Sequence, residues 1–277
     1  MSASTVVSPT QVREAAEIVP LRRPWRWASA ALVSSALLVL LWSVVTNEQF
    51  QWGVVVEYFT TEAVLRGLGL TLWLTALTVV LGFALGGVLA VMRLSGNPVL
   101  VGVSWGYVWL FRSVPLLVQL LFWFNIGALY PALSGATPLI GPVTAVITGL
   151  VLHEAAYAAE VVRGGILSVD AGQVEAALAL GMRRGRVLRR IVLPQAMRAI
   201  IPAAGNMLIG TLKGTSIVSV LAVQDLLYSV QLIYNRNYLI IPLLLVATIW
   251  YVLVTSLLGV GQHYVERYYA RGAGRLS

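Results

Sequence analysis

Two adjacent ionisable residues, His153 and Glu154, lie inside a long apolar stretch of this sequence. An ionisable side chain in the middle of a membrane costs at least about 2.5–3.5 kcal/mol, so it usually faces a pathway or a partner. Two uses of the carboxylate stay open. Glu154 either binds a cationic group of a ligand or forms a structural salt bridge, for which Arg112 is the best candidate.

Three short patterns that resemble catalytic motifs fail on their context. Residues 102–106 fit G-x-S-x-G, but they start an apolar helix, whereas the hydrolase elbow needs a strand before it. A zinc pattern H-E-x-x-H begins at His153 but ends at Tyr157. A P-loop spacing that begins at Gly205 has Thr211 where lysine is required. We therefore predict no catalytic residue, no metal site and no cofactor in this chain, and no ATPase activity of its own.

The composition indicates a membrane protein. Of 277 residues, 58% are hydrophobic and 11% are charged, whereas soluble domains average roughly 45–50% and about 25%. The net charge of +8 comes largely from arginines that flank apolar blocks, and no basic stretch carries the interleaved aromatics that stack on bases. We therefore expect no nucleic-acid partner. The absence of cysteine excludes disulfides.

Long apolar blocks predict an all-α integral membrane protein, because a helix of about 20 apolar residues spans the bilayer and satisfies its own backbone. The predicted spans are 28–45, 67–92, 103–129, 139–162, 199–223 and 240–262. A polar tail (1–27) precedes them, and a long polar insertion (163–198) separates the fourth from the fifth.

The distribution of arginines predicts the orientation, because cytoplasmic loops carry the excess of basic residues. The basic residues expected on the cytoplasmic side are Arg13, Arg22, Arg23, Arg26, Arg93, the arginines of the insertion, Arg267, Arg271 and Arg275. Arg236, near Asp225, falls on an outer loop. We expect a multi-pass protein of the cell (inner or cytoplasmic) membrane, with both termini in the cytoplasm.

The insertion contains a short helix over 174–180, rich in alanine and leucine. Gly181 suits a helix end, and Pro194 suits the start of the next helix. The small side chains of Ala176 and Ala177 would let the segment sit close to another surface. The segment therefore predicts a docking site for a partner, or else a helix lying on the bilayer surface.

The residues that carry a family resemblance are Glu175, Ala176, Ala177, Gly181, Ile191, Leu193 and Pro194. Their order and spacing resemble the EAA motif of ABC-importer permeases. Further stretches resemble the polar-amino-acid branch, the histidine and glutamine permease type; they are 67–72, 111–119, 156–164, 172–173 and 213–216. The resemblance covers about residues 64–265.

The resemblance implies the fold of a type I ABC-importer transmembrane domain. That domain would cover 64–265, with a five-helix core and a cytoplasmic coupling loop at about 163–198. The helix at 28–46 would be an extra N-terminal transmembrane helix, and residues 266–277 would be a cytoplasmic C-terminal tail.

The resemblance also implies the partners and the mechanism. Two separate ABC ATPase subunits, which bind ATP and magnesium, would dock on the EAA segment, with Glu175 pairing with a basic group of the ATPase. A second permease chain, identical or related, would complete the path. An extracytoplasmic amino-acid-binding protein would deliver a polar amino acid, which crosses by alternating access.

Candidate residues of the substrate path are His153, Glu154, Arg112, Lys213, Thr215 and Ser216. Four of them, Arg112, Lys213, Thr215 and Ser216, also have a simpler use. Lys213 could reach the membrane surface, and Arg112 could anchor the cytoplasmic side. The hydroxyls of Thr215 and Ser216 can bond back to their own helix.

Other charged and small residues have local explanations. The i,i+3 spacing of Glu160 and Arg163 predicts an ion pair. The arginines within 183–190 are expected to contact lipid headgroups rather than the ATPase, because they occupy too many helix faces for one docking site. Gly82 and Gly86 predict close helix packing within the bundle.

A transporter driven by an ion gradient is the alternative function. It would use His153 and Glu154 as a proton site. Many transporters of that class are built from inverted repeats, and the two halves of this sequence show none.

Overall fold

The computed structural model describes residues 24–130 and 141–270, and within these ranges the regular structure is entirely helical. The chain divides into two compact units, Met1–Phe50 and Gln51–Ser277. The predictions for the tails and the outer loop that concern 1–23, 131–140 and 271–277 lie outside the described residues. They include Arg13, Arg22, Arg23, Arg271 and Arg275.

The first unit contains helix α1, Pro24–Thr46, and a short 3₁₀ turn, Glu48–Phe50. Proline is tolerated at the first helical position because its missing N–H would have no partner there. From Ala28 to Val45 every residue is apolar except serines, so the helix is apolar on all faces. The predicted first helix is confirmed, and its length is sufficient to span a bilayer.

The second unit contains eleven numbered helices within the described ranges. They are α2 (Trp52–Phe59), α3 (Glu62–Arg93), α4 (Pro98–Ser113), α5 (Leu116–Phe124), α6 (Ile126–Leu129), α7 (Pro142–Leu167), α8 (Ala171–Ala179), α9 (Arg184–Val187), α10 (Leu193–Gly214), α11 (Leu226–Asn237) and α12 (Ile240–Ala270). A π-helical turn, Leu188–Val192, leads into α10, and a 3₁₀ turn, Thr215–Leu221, extends it.

In the described part of the chain, α1, α3, α7 and α12 are each long and apolar enough to cross a membrane. Two bent pairs raise the number to as many as six: α4 with α5, and α10 with α11. The count agrees with the six predicted spans. Because several such helices follow one another along the sequence, this is a multi-pass helical membrane protein.

The predicted span 103–129 is wrong as one continuous helix. It is divided between α4, α5 and α6, and α4 bends from α5 by 102°. The cause is Pro115, which has no N–H to donate to the carbonyl four residues earlier. Gln119 replaces that donor: its Nε2 donates to Phe111 O at 2.8 Å and to Val114 O at 2.7 Å.

The predicted polar insertion 163–198 is shorter in the structure. Helix α7 continues to Leu167, and α10 begins at Leu193, so both ends of the insertion are helical. Pro194 lies in the first turn of α10, as predicted. The predicted span 199–223 corresponds to most of α10 and to the 3₁₀ turn that extends it. Neither Pro194 nor Pro202 interrupts α10.

Helices α3 and α7 pack face to face through small residues. A Cβ placed at Gly86 would lie 2.6 Å from Ala158 Cβ, and one at Gly82 would lie 3.0 Å from Glu154 Cβ. Such contacts are possible only because glycine has no side chain. The prediction that Gly82 and Gly86 serve packing inside the bundle is confirmed.

Candidate functional site

A cavity of about 270 Å³ lies between α3, α7 and α10. Its lining residues come from three helices and the start of α5: Thr78, Leu116, Leu150, His153, Glu154, Tyr157, Met207, Gly210, Thr211 and Gly214. On α7 and on α10 the lining positions follow i, i+3, i+4, i+7, so each helix contributes one continuous face.

Glu154 is the buried acid of this cavity. Its side chain is 9% exposed, and its Oε1 accepts a hydrogen bond from Thr211 Oγ1 at 2.8 Å. The ion pairs among the described residues do not include Glu154. The predicted alternative, a salt bridge from Arg112 to Glu154, is therefore not formed in this structure. Instead, Arg112 Cζ lies 5.3 Å from the centre of the Tyr157 ring.

His153 is linked to the bend between α4 and α5. Its Nδ1 lies 3.1 Å from Gln119 Nε2, the same amide that satisfies the two free carbonyls before Pro115. The His153 ring also lies 5.0 Å from the Tyr157 ring. The histidine thus joins the wall of the cavity to the break in the neighbouring span.

Two features leave the cavity ready for a polar ligand. A Cβ at Gly210 or at Gly214 would meet no atom within 4 Å, so these glycines keep the α10 wall open. Across the cavity, Thr78 Oγ1 is buried and has no hydrogen-bond partner among the described residues. A buried hydroxyl without a partner is costly, which favours a ligand atom or water that completes it.

The other predicted substrate-path residues do not line this cavity. Thr215 is fully buried and donates to Leu212 O at 2.7 Å, while Ser216 donates to Lys213 O at 2.7 Å. Both hydroxyls bond back to their helix, as the simpler use predicted. Lys213 is exposed in the last turn of α10.

Sequence reasoning missed the α10 face and Thr78. Met207, Gly210, Thr211 and Gly214 share one side of α10, and that periodicity is visible in the sequence. That periodicity alone does not indicate a cavity, because a helix face made of small residues and one methionine is equally typical of ordinary helix packing. Thr78 carries no charge and has no local pattern that distinguishes it.

The predicted coupling loop corresponds to residues 168–192, between α7 and α10, and we call it the coupling segment; its first helix, α8, is capped at both ends. Asp170 caps α8 by accepting from Gly172 N at 2.7 Å. The helix ends in a Schellman motif, in which Met182 N donates to Ala177 O and Gly181 N donates to Leu178 O. Gly181 has φ +78°, the left-handed conformation that glycine adopts most readily. The predicted helix end is confirmed.

The seven EAA residues are divided between surface and core. Glu175, Ala176 and Gly181 are exposed, whereas Ala177 is 4% exposed and packs in a cluster with Val187 and Val192. Ala177 nevertheless lines the groove beside α8, so its part in the coupling surface stays a prediction.

A groove of about 420 Å³ opens beside the exposed face of α8. Ala176, Ile191 and Pro194 line it, and Gln195 Nε2 closes one side by donating to Gln173 Oε1 at 2.7 Å. Ile191 and Leu193 are half-buried, and Leu193 is the first residue of α10. Leu180, at the tip of the segment, is 84% exposed, so an apolar side chain points away from this chain.

The expected ion pair on α7 is present. Arg163 donates to Glu160 Oε2 from Nη2 at 2.7 Å and from Nε at 3.1 Å. The arginines of the coupling segment are exposed and belong to none of the ion pairs of the described residues; they are Arg183, Arg184, Arg186, Arg189 and Arg190.

These features define a polytopic helical membrane protein with a cavity between its helices and an exposed segment between two spans. Residues 79–271 match the family model of the binding-protein-dependent transport system inner membrane component. The chain belongs to this family.

Curated relatives are similar over most of the chain. The arginine transport system permease protein ArgU of Corynebacterium glutamicum is 42% identical over 94% of this chain and 84% of its own length. The arginine transport system permease protein ArtQ of Bacillus subtilis is 34% identical over 74% of this chain and 91% of its own length.

Solved structures agree on the fold. A crystal structure of an amino acid ABC transporter with histidines matches with a TM-score of 0.69 and 35% identity, over 77% of this chain and 96% of that one. An inward-facing MetNI methionine ABC transporter matches with a TM-score of 0.63 and 22% identity, over 76% and 99%, a likeness of fold alone. The fold is that of ABC transporter transmembrane domains, and nothing in these matches supports the ion-gradient alternative.

Proposed function

We propose that this chain is the transmembrane permease subunit of an ATP-binding-cassette importer that takes up a polar amino acid by alternating access. The observation that carries the proposal is the coupling segment. It contains a capped helix with an exposed apolar tip and a groove beside it, and it lies between α7 and α10. Leu178, Leu180 and Leu188 are all exposed on this segment, and a cluster of exposed apolar side chains favours a protein interface.

The partner on this segment is an ABC ATPase. Glu175 lies on the exposed face of α8, where its carboxylate can pair with a basic group. The cluster of Ala177, Val187 and Val192 joins α8 to the turn before α10, so a push on α8 is carried into the helix that lines the cavity. ATP and magnesium belong to that ATPase, since this chain offers no phosphate-binding loop.

The cavity beside Glu154 is the place for the substrate. A buried carboxylate without a basic partner favours a cation, and every amino acid carries an ammonium group. The permeases ArgU and ArtQ, both named for arginine, are similar to this chain, so a cationic amino acid is the first substrate to test. Thr78 Oγ1, buried without a partner among the described residues, offers a second polar contact.

The remaining partners follow from the class of transporter. A second permease chain, identical or related, encloses the path from the other side. An extracytoplasmic binding protein delivers the amino acid. With this topology both termini lie in the cytoplasm, together with the coupling segment.

The test is mass spectrometry of the proteins that co-purify with this chain from gently solubilised native membranes. We expect an ABC ATPase in near-equal amount. We also expect Ala176→Trp or Glu175→Arg to remove it, because the first fills the groove and the second reverses the charge on the exposed face.

The matched control is Arg267→Gln, a change of charge in the last turn of α12, far along the chain from the coupling segment. It should retain the ATPase. A preparation without any ATPase that still transports in liposomes on an ion gradient would overturn the proposal.

A further inference from the structure

A second cleft, of about 400 Å³, lies at the end of the bundle where α7 leads into the coupling segment. It is separate from the Glu154 cavity, although Tyr157 borders both. Side chains from α3, α4 and α7 form its walls: Arg93, Trp105, Trp109, Arg112, Tyr157 and Glu160.

The cleft carries a surplus of positive charge. Glu160 is already paired with Arg163 at 2.7 Å, and Arg93 Nη1 lies 4.0 Å from its other oxygen. That Arg93 nitrogen has no hydrogen-bond partner among the described residues. Arg112 lies over the Tyr157 ring and belongs to none of the described ion pairs. Two guanidinium groups thus share the Glu160 carboxylate and a third, that of Arg112, has no ion pair among the described residues, so an anion is favoured here.

A pair of tryptophans lines the same cleft. Trp105 and Trp109 stack at 6.2 Å with an interplanar angle of 8°, and they are 54% and 58% exposed. Exposed tryptophans are typical of the membrane–water interface, where the ring meets the headgroups. Val108, on the same face of α4, also lines the cleft, so this wall is apolar and aromatic.

The direction of α4 places this cleft at the interface. Helix α5 has only nine residues, fewer than the roughly 20 that a membrane-crossing helix needs, and α4 bends from it by 102°. Gln119 and the half-buried Leu116 anchor α5 inside the bundle beside α7. Helix α4 meets α5 at 102° and exposes the Trp105–Trp109 pair, an arrangement typical of a helix that lies along the membrane surface.

We propose that the cleft bordered by Arg93, Arg112 and the Trp105–Trp109 pair binds the phosphate group of an anionic phospholipid. The guanidinium groups receive the phosphate through charge-assisted hydrogen bonds, which are strong for arginine. The acyl chains lie along the apolar face of α4. Basic pockets between membrane helices bind anionic headgroups in this manner, and a free phosphate ion would leave the exposed tryptophan pair unused.

The experiment is native mass spectrometry of the purified transporter, released from nanodiscs with equal amounts of phosphatidylglycerol and phosphatidylcholine of the same acyl chains. We expect retained phosphatidylglycerol to exceed phosphatidylcholine, and Arg112→Gln to reduce the retained phosphatidylglycerol at least about tenfold. Arg112 is exposed, so this variant should fold, and Arg93→Gln provides a second test on another helix. Arg267→Gln, on α12, should retain the lipid as the parent does.

Three outcomes would overturn the proposal. They are equal retention of both lipids, an unchanged lipid count in both arginine variants, and displacement of the lipid by millimolar inorganic phosphate, which would indicate a site for small anions. The readout requires neither transport nor ATP hydrolysis, so it can fail while the importer function stands, and the reverse also holds.

Discussion

Glu154 illustrates how one residue is placed for binding while remaining a stable part of the bundle. Its carboxylate is held from one side by the Thr211 hydroxyl, which lies 2.8 Å away. The same hydroxyl lies 2.8 Å from Met207 O, and its one hydrogen can point to only one acceptor at a time. A charged acceptor attracts it more strongly than a neutral carbonyl. The remaining oxygen of Glu154 is left for a ligand in the cavity.

We predict that Glu154→Gln abolishes uptake without loss of assembly. Glutamine has the same shape, and its Oε1 can still accept from Thr211, so only the charge is removed. Loss of one member of a buried charge pair costs about 2–5 kcal/mol or more, which corresponds to a decrease in substrate affinity of well over tenfold. The measurement is uptake of radiolabelled arginine by proteoliposomes that contain the complete transporter.

The control for this prediction is Glu57→Gln, which removes an exposed carboxylate on α2. It should transport as the parent does. If Glu154→Gln transports normally, whatever amino acid is supplied, the carboxylate does not bind the substrate.

The sequence indicates some of these residues and not others, for a physical reason. A charge in an apolar block is conspicuous, so His153 and Glu154 could be predicted. Whether Arg112 reaches Glu154 depends on the 102° bend, which turns α4 away and places the guanidinium over Tyr157 instead. Thr78 and Thr211 could not be predicted, because a threonine in a membrane helix commonly bonds to its own backbone.

At the scale of elements, the contact between α3 and α7 organises the bundle. Gly86 allows the backbones to approach until a Cβ there would lie 2.6 Å from Ala158 Cβ and 2.8 Å from Ala159 N. Its neighbour Gly87 has open space where a Cβ would be. A side chain added at Gly86 would therefore collide with α7, whereas one added at Gly87 would meet no other atom.

We predict that Gly86→Ala destabilises the protein by about 1–3 kcal/mol, because one added methyl group must push apart two packed backbones. Gly87→Ala is the matched control. It should leave stability unchanged or raise it by roughly 0.5–1 kcal/mol, since alanine is the better helix former. Thermal unfolding of the purified protein in detergent, followed by tryptophan fluorescence, measures both. Equal midpoints for the two variants would contradict this account of the contact.

Apolar composition predicts membrane helices better than it predicts their direction. Residues 103–129 form one apolar block, and hydropathy alone cannot distinguish a straight span from a helix on the surface joined to a short span. The bend depends on Pro115 and on Gln119, whose amide satisfies the freed carbonyls. Both residues are visible in the sequence. The hydrogen bonds by which Gln119 stabilises the bend at Pro115 become visible only in the three-dimensional structure.

At the scale of the whole molecule, the family fold and the distribution of arginines lead to the same expected arrangement. The family model begins at residue 79 and ends at residue 271, whereas α1 lies well before that range. If α1 crosses the membrane, the number of crossings before α3 changes by one. The tail before α1 then lies on the same side as the coupling segment.

Because the chain contains no cysteine, single cysteines can report this arrangement. We predict that, in right-side-out vesicles, a membrane-impermeant maleimide labels Thr60→Cys and Asn235→Cys at once, since both exposed positions are expected outside. Gly185→Cys, on the coupling side, and Ser4→Cys, in the N-terminal tail, should be labelled only after the membrane is opened. The unchanged parent should stay unlabelled throughout. Immediate labelling of Ser4→Cys alone would show that α1 does not cross, while immediate labelling of Gly185→Cys would reverse the whole topology and, with it, the side on which an ATPase could dock.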